Sequence, residues 1–246
     1  LICQFLLMPI MAYGLGYIFL ESNYERLGFL FVGCSPGGAN SNLWTNMFGG
    51  DIDLSVTMTF ISTLFSFAMT TFWIYFLGTP LVAKHIQIPY IQLAVALGSL
   101  FIPVSLGIVF KRYQPQKAEI VKKYVSKPFF LIILIIFPTL AVYSNQFIFF
   151  LMTWRHVVCG VLLGILGYTF GAGLAALFCQ NRGQIIAISM ETAIQNAGIA
   201  YVALTLALKS PYNDIARLPM IAFILLTTGP MVFVFYAIHF IGKRVR

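Results

Sequence analysis

Charged side chains are scarce in this chain of 246 residues, and their scarcity limits the kind of protein it can be. Asp, Glu, Lys and Arg make up 9% of the residues, whereas a soluble domain carries about 25%. So little charge excludes a water-soluble domain, a disordered segment and a coiled coil. The 60% of hydrophobic residues instead predict an all-α polytopic membrane protein.

Several signatures of other function classes are missing. Fifteen Lys and Arg outnumber seven Asp and Glu, but they fall mostly in short connectors, which excludes a nucleic-acid-binding patch. No Walker or Rossmann motif occurs, and we predict neither an enzyme nor a cofactor. The four cysteines have no zinc-like spacing and are expected to be packing residues without a disulfide. They are Cys3, Cys34, Cys159 and Cys179.

The chain contains several long runs of residues without a charge. About 20 residues rising 1.5 Å each cross a hydrocarbon core of roughly 30 Å. Seven runs contain no charge, and an eighth contains only Glu191, so we predict eight membrane-spanning helices in one transmembrane domain, 1–246. Continuous rather than alternating runs favour helices over a barrel. The predicted spans are 1–20, 27–48, 54–83, 86–110, 128–154, 157–181, 183–208 and 218–242.

The basic residues predict an orientation. The connector from Lys111 to Lys127 holds six of them and should face the cytoplasm. Successive connectors lie on alternate sides of the membrane. Ten basic residues then lie inside and five outside, with both ends of the chain inside. The five outside are Arg26, Lys84, Arg155, Lys209 and Arg217. Because the sequence opens on a leucine within an apolar run, we expect it to be a fragment that lacks N-terminal helices.

Two spans contain features that ordinary membrane helices avoid. In the first, Pro36 and the pair Gly37-Gly38 loosen the helix at mid-span, and Asn40, Ser41 and Asn42 follow at once. Such a break persists in lipid only where protein or a water-filled cavity receives the freed backbone groups. It predicts either a broken helix beside an ion or substrate site, or a kink whose polar side chains bind neighbouring helices.

The second unusual span contains Glu191, with Gln195 and Asn196 one turn later. A carboxylate at this depth costs several kcal/mol unless it is paired or binds a cation. No Lys or Arg lies within a predicted span to pair with it. The pattern favours a cation ligand or a proton carrier, and the alternative is a shifted span that leaves Glu191 at the membrane interface.

The two unusual spans are the second and seventh of the eight. A separation of five fits two five-helix repeats, about 1–83 and 86–242, and repeats with an odd number of helices lie inverted in the membrane. Inverted repeats whose broken helices cross at mid-membrane are typical of secondary transporters.

Several motifs, in this order, resemble the sodium/bile acid cotransporter family over essentially the whole chain. They are Cys3–Pro9, Cys34–Gly38, Ser41–Asn42, Asp51–Thr59, Phe101–Gly107 and Glu191–Asn196. The resemblance implies a fold of about ten helices in core and panel domains, of which this chain holds eight, starting at the third.

The resemblance also implies two sodium sites and a substrate-facing position, Asn196. Asn40 is a further candidate for substrate binding. The coupling ion that the resemblance implies is sodium, a hard cation that prefers oxygen ligands. For Gln4 a polar contact between helices is an equal alternative. The first site would comprise Ser41, Asn42, Ser55, Thr59 and Glu191. The second would comprise Gln4, Glu191 and Gln195, with the carbonyls of Thr192 and Ile194.

The substrate is less clearly indicated. Asn40 and Ser35 differ from vertebrate bile-salt carriers, and the run Ala197–Ala200 resembles bacterial and plant relatives. The first hypothesis is a sodium-coupled symporter of an organic anion, resembling a bile acid or steroid conjugate, in the plasma membrane. The alternatives are a carrier of small oxo-acid anions and a non-transporting membrane scaffold.

Overall fold

The computed structural model describes residues 1–82, 90–121 and 146–244, and residues 124, 125, 132, 136, 139 and 143 between the last two ranges. Within these residues the chain is helical, as predicted, and β pairing is limited to one bridge between Gly37 and Gln195. Helices suit an apolar chain because each satisfies its own backbone hydrogen bonds.

Eleven α-helices lie in the described part of the chain. A π-helical turn, Cys3–Leu7, leads into α1, and the turns Ile74–Gly78 and Thr79–Val82 extend α4. The helices are α1 Met8–Phe19, α2 Asn23–Gly33, α3 Asn40–Met47, α4 Ile52–Trp73, α5 Tyr90–Tyr113, α6 Pro115–Val121, α7 Gln146–Leu151, α8 Trp154–Leu177, α9 Arg182–Ala193, α10 Ala197–Ala207 and α11 Tyr212–Arg244.

Three segments of the described part are long and apolar enough to cross a membrane: Ile52–Leu81, Trp154–Leu177 and Tyr212–Met231. Cys3–Phe19 and Ala197–Leu206 are shorter apolar helices.

The two unusual spans of the sequence are each divided. The predicted span 27–48 is split into α2 and α3, and 183–208 is split into α9 and α10, so both predicted breaks are confirmed. The predicted span 128–154 lies largely outside the described residues.

The helices form two compact units. One consists of Leu1–Leu97 with Met152–Arg246. The other, Gly98–Leu151, holds the larger part of α5 and all of α6 and α7. In the first unit, α8 packs against α9 and α11, and α2 packs against α1 and α11. Both broken spans belong to the first unit, and so do the predicted site residues outside them, Gln4, Ser55 and Thr59.

Backbones approach closely where α2 meets α11. A β carbon at Gly28 would lie 1.8 Å from the carbonyl oxygen of Ala216. Only glycine allows this contact, and small residues at such crossings are what let membrane helices pack. The contact holds the helix that precedes the first break against the long final helix.

The first turns of α2 and α8 are joined by a polar pair of a buried histidine and a half-buried glutamate. Nε2 of His156 lies 3.3 Å from a carboxylate oxygen of Glu25. Because the amide of Thr153 donates to Nδ1 of His156 at 3.0 Å, the ring proton sits on Nε2 and points at Glu25. Burial alone would raise the pKa of Glu25, but hydrogen bonds from His156 and the Ser22 amide outweigh it, so the pKa is lowered.

Two expectations from the sequence are wrong. Helix α11 begins at Tyr212 rather than at residue 218, and Arg217 is 8% exposed inside it rather than in an external connector. Its guanidinium lies 3.1 Å from Asp214, so opposite charges one turn apart offset each other. Cys179, expected to be a packing residue, is exposed where α8 ends, with φ at 55°.

Candidate functional site

The two broken helices are joined to each other at their breaks. The amide of Gly38 donates to the carbonyl of Ile194 at 2.7 Å, and the amide of Asn196 donates to the carbonyl of Pro36 at 2.8 Å. Backbone groups freed from one helix are therefore satisfied by the other, as a break inside a membrane protein requires. These two hydrogen bonds bring the two sets of predicted residues to one place.

Side chains satisfy further carbonyls that the breaks release. The hydroxyl of Thr70 on α4 donates to the carbonyl of Cys34 at 2.6 Å, and Nε2 of Gln4 donates to that of Ser35 at 2.7 Å. Nε2 of Gln195 donates to the carbonyl of Thr192 at 2.8 Å. Polar side chains thus stabilise an irregular backbone in an otherwise apolar interior.

Glu191 lies in the last turn of α9 and is 2% exposed, so it is enclosed by helices rather than placed on the surface of the first unit. Its Oε2 accepts hydrogen bonds from the hydroxyls of Ser41 and Thr59, the latter at 3.0 Å. Its Oε1 has no hydrogen-bond partner among the described residues. One carboxylate oxygen is therefore held by protein, while the other can accept a further ligand.

The five residues of the first predicted site are linked by contacts: Ser41 and Thr59 contact Oε2 of Glu191, and Asn42 and Ser55 contact Thr59. Nδ2 of Asn42 donates to the hydroxyl of Thr59 at 3.2 Å, and that hydroxyl lies 3.0 Å from the carbonyl of Ser55. The buried hydroxyl of Ser55 lies 3.3 Å from that of Thr45. Hydroxyl, amide, carbonyl and carboxylate oxygens together form the kind of ligand set that a hard monovalent cation takes.

A hydrogen bond joins two side chains of the second predicted set, and Gln4, Glu191 and Thr192 of this set line one cavity. Gln4 is 5% exposed, and its Nε2 donates to Oε1 of Gln195 at 2.5 Å. Its Oε1, like that of Glu191, has no partner within the described part of the chain. A buried oxygen without a partner costs roughly 1 to 3 kcal/mol. A cation bound at either oxygen would remove that cost there, so these oxygen-bearing residues fit a sodium ion.

The two main-chain ligands predicted for the second set already have partners in the protein. The carbonyl of Ile194 accepts from Gly38, and that of Thr192 accepts from Gln195. A carbonyl oxygen has two lone pairs, so each can accept a second ligand.

The structure does not bring the two substrate candidates into the hydrogen-bond network of Glu191. Asn196 is half-buried and caps α10, its Oδ1 accepting from the amide of Ile199 at 3.4 Å. Asn40 is exposed at the first residue of α3. Both lie beside the paired breaks, and their role in binding remains a prediction.

Sequence reasoning missed the polar face of α4. Beyond the predicted Ser55 and Thr59, further buried hydroxyls continue along one face at helical spacing, and they include Thr70, which stabilises the first break. The spacing itself was a readable signal in the sequence. The added residues are Ser62, Thr63, Ser66 and Thr70.

The chain is similar to known membrane transporters. A sequence model of the Sodium Bile acid symporter family matches residues 1–156. The hepatic sodium/bile acid cotransporter of Homo sapiens is 33% identical over 213 residues, which are 84% of this chain and 60% of that protein. The protein of the same name from Rattus norvegicus is 33% identical, over 80% of this chain and 55% of its own length.

A third relative, the sodium-dependent organic anion transporter of Bos taurus, is 30% identical over 84% of this chain and 55% of its own length. The chain therefore spans between about half and three fifths of the curated relatives it matches. The family match covers more than half of the chain, and it includes both the first break and the sodium-site candidates of α3 and α4. The chain belongs to the sodium bile acid symporter family.

Proposed function

We propose that this protein is a sodium-coupled symporter that takes up an organic anion by alternating access, with two sodium ions as the coupling ions. The observation that carries the proposal is the carboxylate of Glu191, buried where two broken helices meet, with different surroundings for its two oxygens. A negative charge so deeply buried calls for a cation, and the neighbouring oxygens are those that sodium prefers.

The two sodium sites would share this one carboxylate. The first ion would bind at Oε2, where Ser41 and Thr59 contact the carboxylate. The second would bind at Oε1, with Oε1 of Gln4. These two side-chain oxygens lack partners among the described residues, which supports a ligand there.

The substrate class follows from the relatives and from the position of two helix N-termini. The relatives are named for bile acids and organic anions. Helices α3 and α10 both begin beside the breaks, and helix N-termini attract negative charge. We therefore favour a bile-acid-like or steroid-conjugate anion, contacted by Asn40 and Asn196.

The larger architecture is also part of the proposal. The chain would hold a partial first repeat, about 1–83, and an inverted second repeat, about 86–242, in core and panel domains. Movement of one domain against the other would expose the site to each side of the plasma membrane in turn. The paired breaks support this view, because one break lies in each of the two proposed repeats.

Uptake by the full-length gene product tests the proposal. Cells expressing it should accumulate labelled taurocholate in sodium and not in choline, and Glu191→Gln should reduce that uptake at least tenfold at unchanged surface expression. Pyruvate that competes with taurocholate, or is itself taken up, would favour a carrier of small oxo-acids. Absence of sodium-dependent uptake of either anion, at normal surface expression, would favour a non-transporting scaffold.

A further inference from the structure

A cavity of about 460 Å³ lies inside the first unit, between the π-helical turn before α1, α4, the end of α8 and α9. Most of its wall is apolar, with Met58 and Ile61 on one side and Leu174 and Ile188 on the other. Oxygen-bearing side chains interrupt the apolar wall at Gln4, Ser62, Gln180, Glu191 and Thr192.

The cavity reaches the two predicted sodium sites unequally. Gln4, Glu191 and Thr192 of the second site line it. Apart from the shared Glu191, no residue of the first site does; those four are Ser41, Asn42, Ser55 and Thr59.

The oxygens of Glu191 are divided in the same way. Oε2 is held by two hydroxyls of the first site, whereas Oε1 and the Oε1 of Gln4 have no partners among the described residues. Both unpartnered oxygens belong to buried residues that line the cavity.

The other end of the cavity lies at the surface of the first unit. Phe178, at the end of α8, is 63% exposed, and Gln180 follows it just before α9 begins at Arg182. From Arg182 to Glu191 is nine residues of helix, or about 14 Å. The basic residues of the chain predict that this end of α9 faces the cytoplasm.

We propose that this cavity is the passage through which sodium at the second site exchanges with the cytoplasmic solution, while sodium at the first site is retained behind Glu191. The proposal rests on the proposed function, and it adds an order of release: the second ion leaves first. Ser62 would be a step along the passage, since its hydroxyl donates to the carbonyl of Thr59 at 3.1 Å and its oxygen can still accept a cation.

A charge placed in the wall tests the passage. Ile188 is half-buried, lines the cavity and lies one turn before Glu191. Ile188→Cys is made in full-length protein carrying Cys3→Ser and Cys179→Ser. These substitutions remove the thiol of Cys3, which lines the cavity, and the exposed thiol of Cys179, next to Phe178 and Gln180. The cysteine is labelled with methanethiosulfonates that attach a trimethylammonium or a sulfonate group of similar size.

Release of radioactive sodium from the purified, labelled protein is then followed over time. The cationic adduct should slow the release of one of two bound ions at least tenfold relative to the anionic adduct, because it repels sodium in a space of low dielectric. The matched control is Ile185→Cys, half-buried on the same helix but outside the cavity wall. Its two adducts should release sodium at equal rates. Met58→Cys, on the opposite wall, repeats the test independently of α9.

The outcomes separate the passage from the proposed function. If unmodified protein binds sodium but the two adducts at Ile188 and Met58 release it equally fast, the passage is wrong and the sodium sites stand. If unmodified protein binds no sodium at all, both proposals fall. If the cationic and anionic adducts at position 185 differ in sodium release as much as those at position 188, the exchange route lies elsewhere and the proposed passage is wrong.

Discussion

Gly37 lies so close to Glu191 that a β carbon on Gly37 would be 2.0 Å from Oε1 of the carboxylate. The glycine in the first break therefore permits the position of the carboxylate in the second broken helix. The hydrogen bonds that join the breaks fix Gly38 and Asn196 on either side of this contact, so neither backbone can withdraw easily. The packing around Gly37 in the first break thus determines the position of the Glu191 carboxylate in the second broken helix.

Gly37→Ala should weaken sodium binding at least tenfold, because the added methyl group must displace the Glu191 carboxylate from Ser41. The measurement is the sodium concentration for half-maximal stabilisation against heat of the purified protein. Gly14→Ala on α1 is the matched control, since nothing lies within 4 Å of its β carbon. There the same substitution should leave sodium affinity unchanged and add up to about 1 kcal/mol of helix stability. Equal sodium affinities in the two variants would contradict the close contact.

Thr70→Val should destabilise the fold by about 1 to 3 kcal/mol, because it removes the donor to the carbonyl of Cys34 and leaves that buried group unpaired. Denaturant unfolding in detergent measures the change. Thr57→Val is the control on the same helix: Thr57 is exposed and donates to the carbonyl of Asp53 in its own helix. Its cost should stay below about 0.5 kcal/mol. Similar losses in both variants would show that Thr70 does not support the break.

Glu25→Gln should destabilise the protein near neutral pH and have little effect in acid. The folded-state pKa of Glu25 is lowered, so its carboxylate contributes stability above the unfolded value of about 4.3 and loses it as the pH falls through the lower folded value. The difference in melting temperature between the two proteins should therefore narrow from about pH 6 to about pH 3. Glu21→Gln, whose side chain is 74% exposed in its pair with Arg155, should have a small effect throughout. A difference in melting temperature that stays the same at every pH would contradict the hydrogen bond from His156 to the ionised Glu25 carboxylate.

The segment around α6 should face the cytoplasm. Gln116 is exposed there, and a cysteine at this position, in protein carrying Cys179→Ser, should resist an impermeant thiol reagent added outside intact cells. Permeabilising the cells should make it react, which controls for accessibility. Ready labelling of intact cells would invert the whole predicted topology, including the side to which the proposed sodium passage opens.

The breaks and the buried carboxylate could be predicted from the sequence because each is a local exception. Pro36 and Gly37 interrupt an apolar run, and Glu191 is the one acidic residue within a predicted span. Such exceptions can be read without knowledge of the packing. That Gly37 touches Glu191 could not be predicted, since it depends on how two segments 154 positions apart are paired.

Residues whose role depends on a partner were harder to predict. Thr70 is one of many hydroxyls on α4, and only the carbonyl of Cys34 gives it a function. The start of α11 was placed too late because Arg217 was counted as a loop charge. In the fold Asp214 and Tyr201 contact its guanidinium, the latter with the ring centroid 4.5 Å away, so the charge is compensated inside a helix. Compensation of this kind is invisible to a count of charges.

The central claim is that two sodium ions sharing Glu191 move with one organic anion, and the current evoked by substrate tests it most directly. A tenfold sodium gradient supplies about 1.4 kcal/mol per ion, or roughly 2.8 for two. At a potential of about 60 mV the one net positive charge adds roughly 1.4 more. That total could concentrate a monoanion about a thousandfold, whereas one ion, moving without net charge, could manage about tenfold.

The measurement is made on cells expressing the full-length protein under voltage clamp, with taurocholate added in sodium and then in choline. The account predicts an inward current in sodium alone, a Hill slope for sodium above one, and loss of the current in Glu191→Gln at unchanged surface expression. Taurocholate uptake without current, with a hyperbolic dependence on sodium, would contradict the shared pair of sites around Gln4 and Glu191.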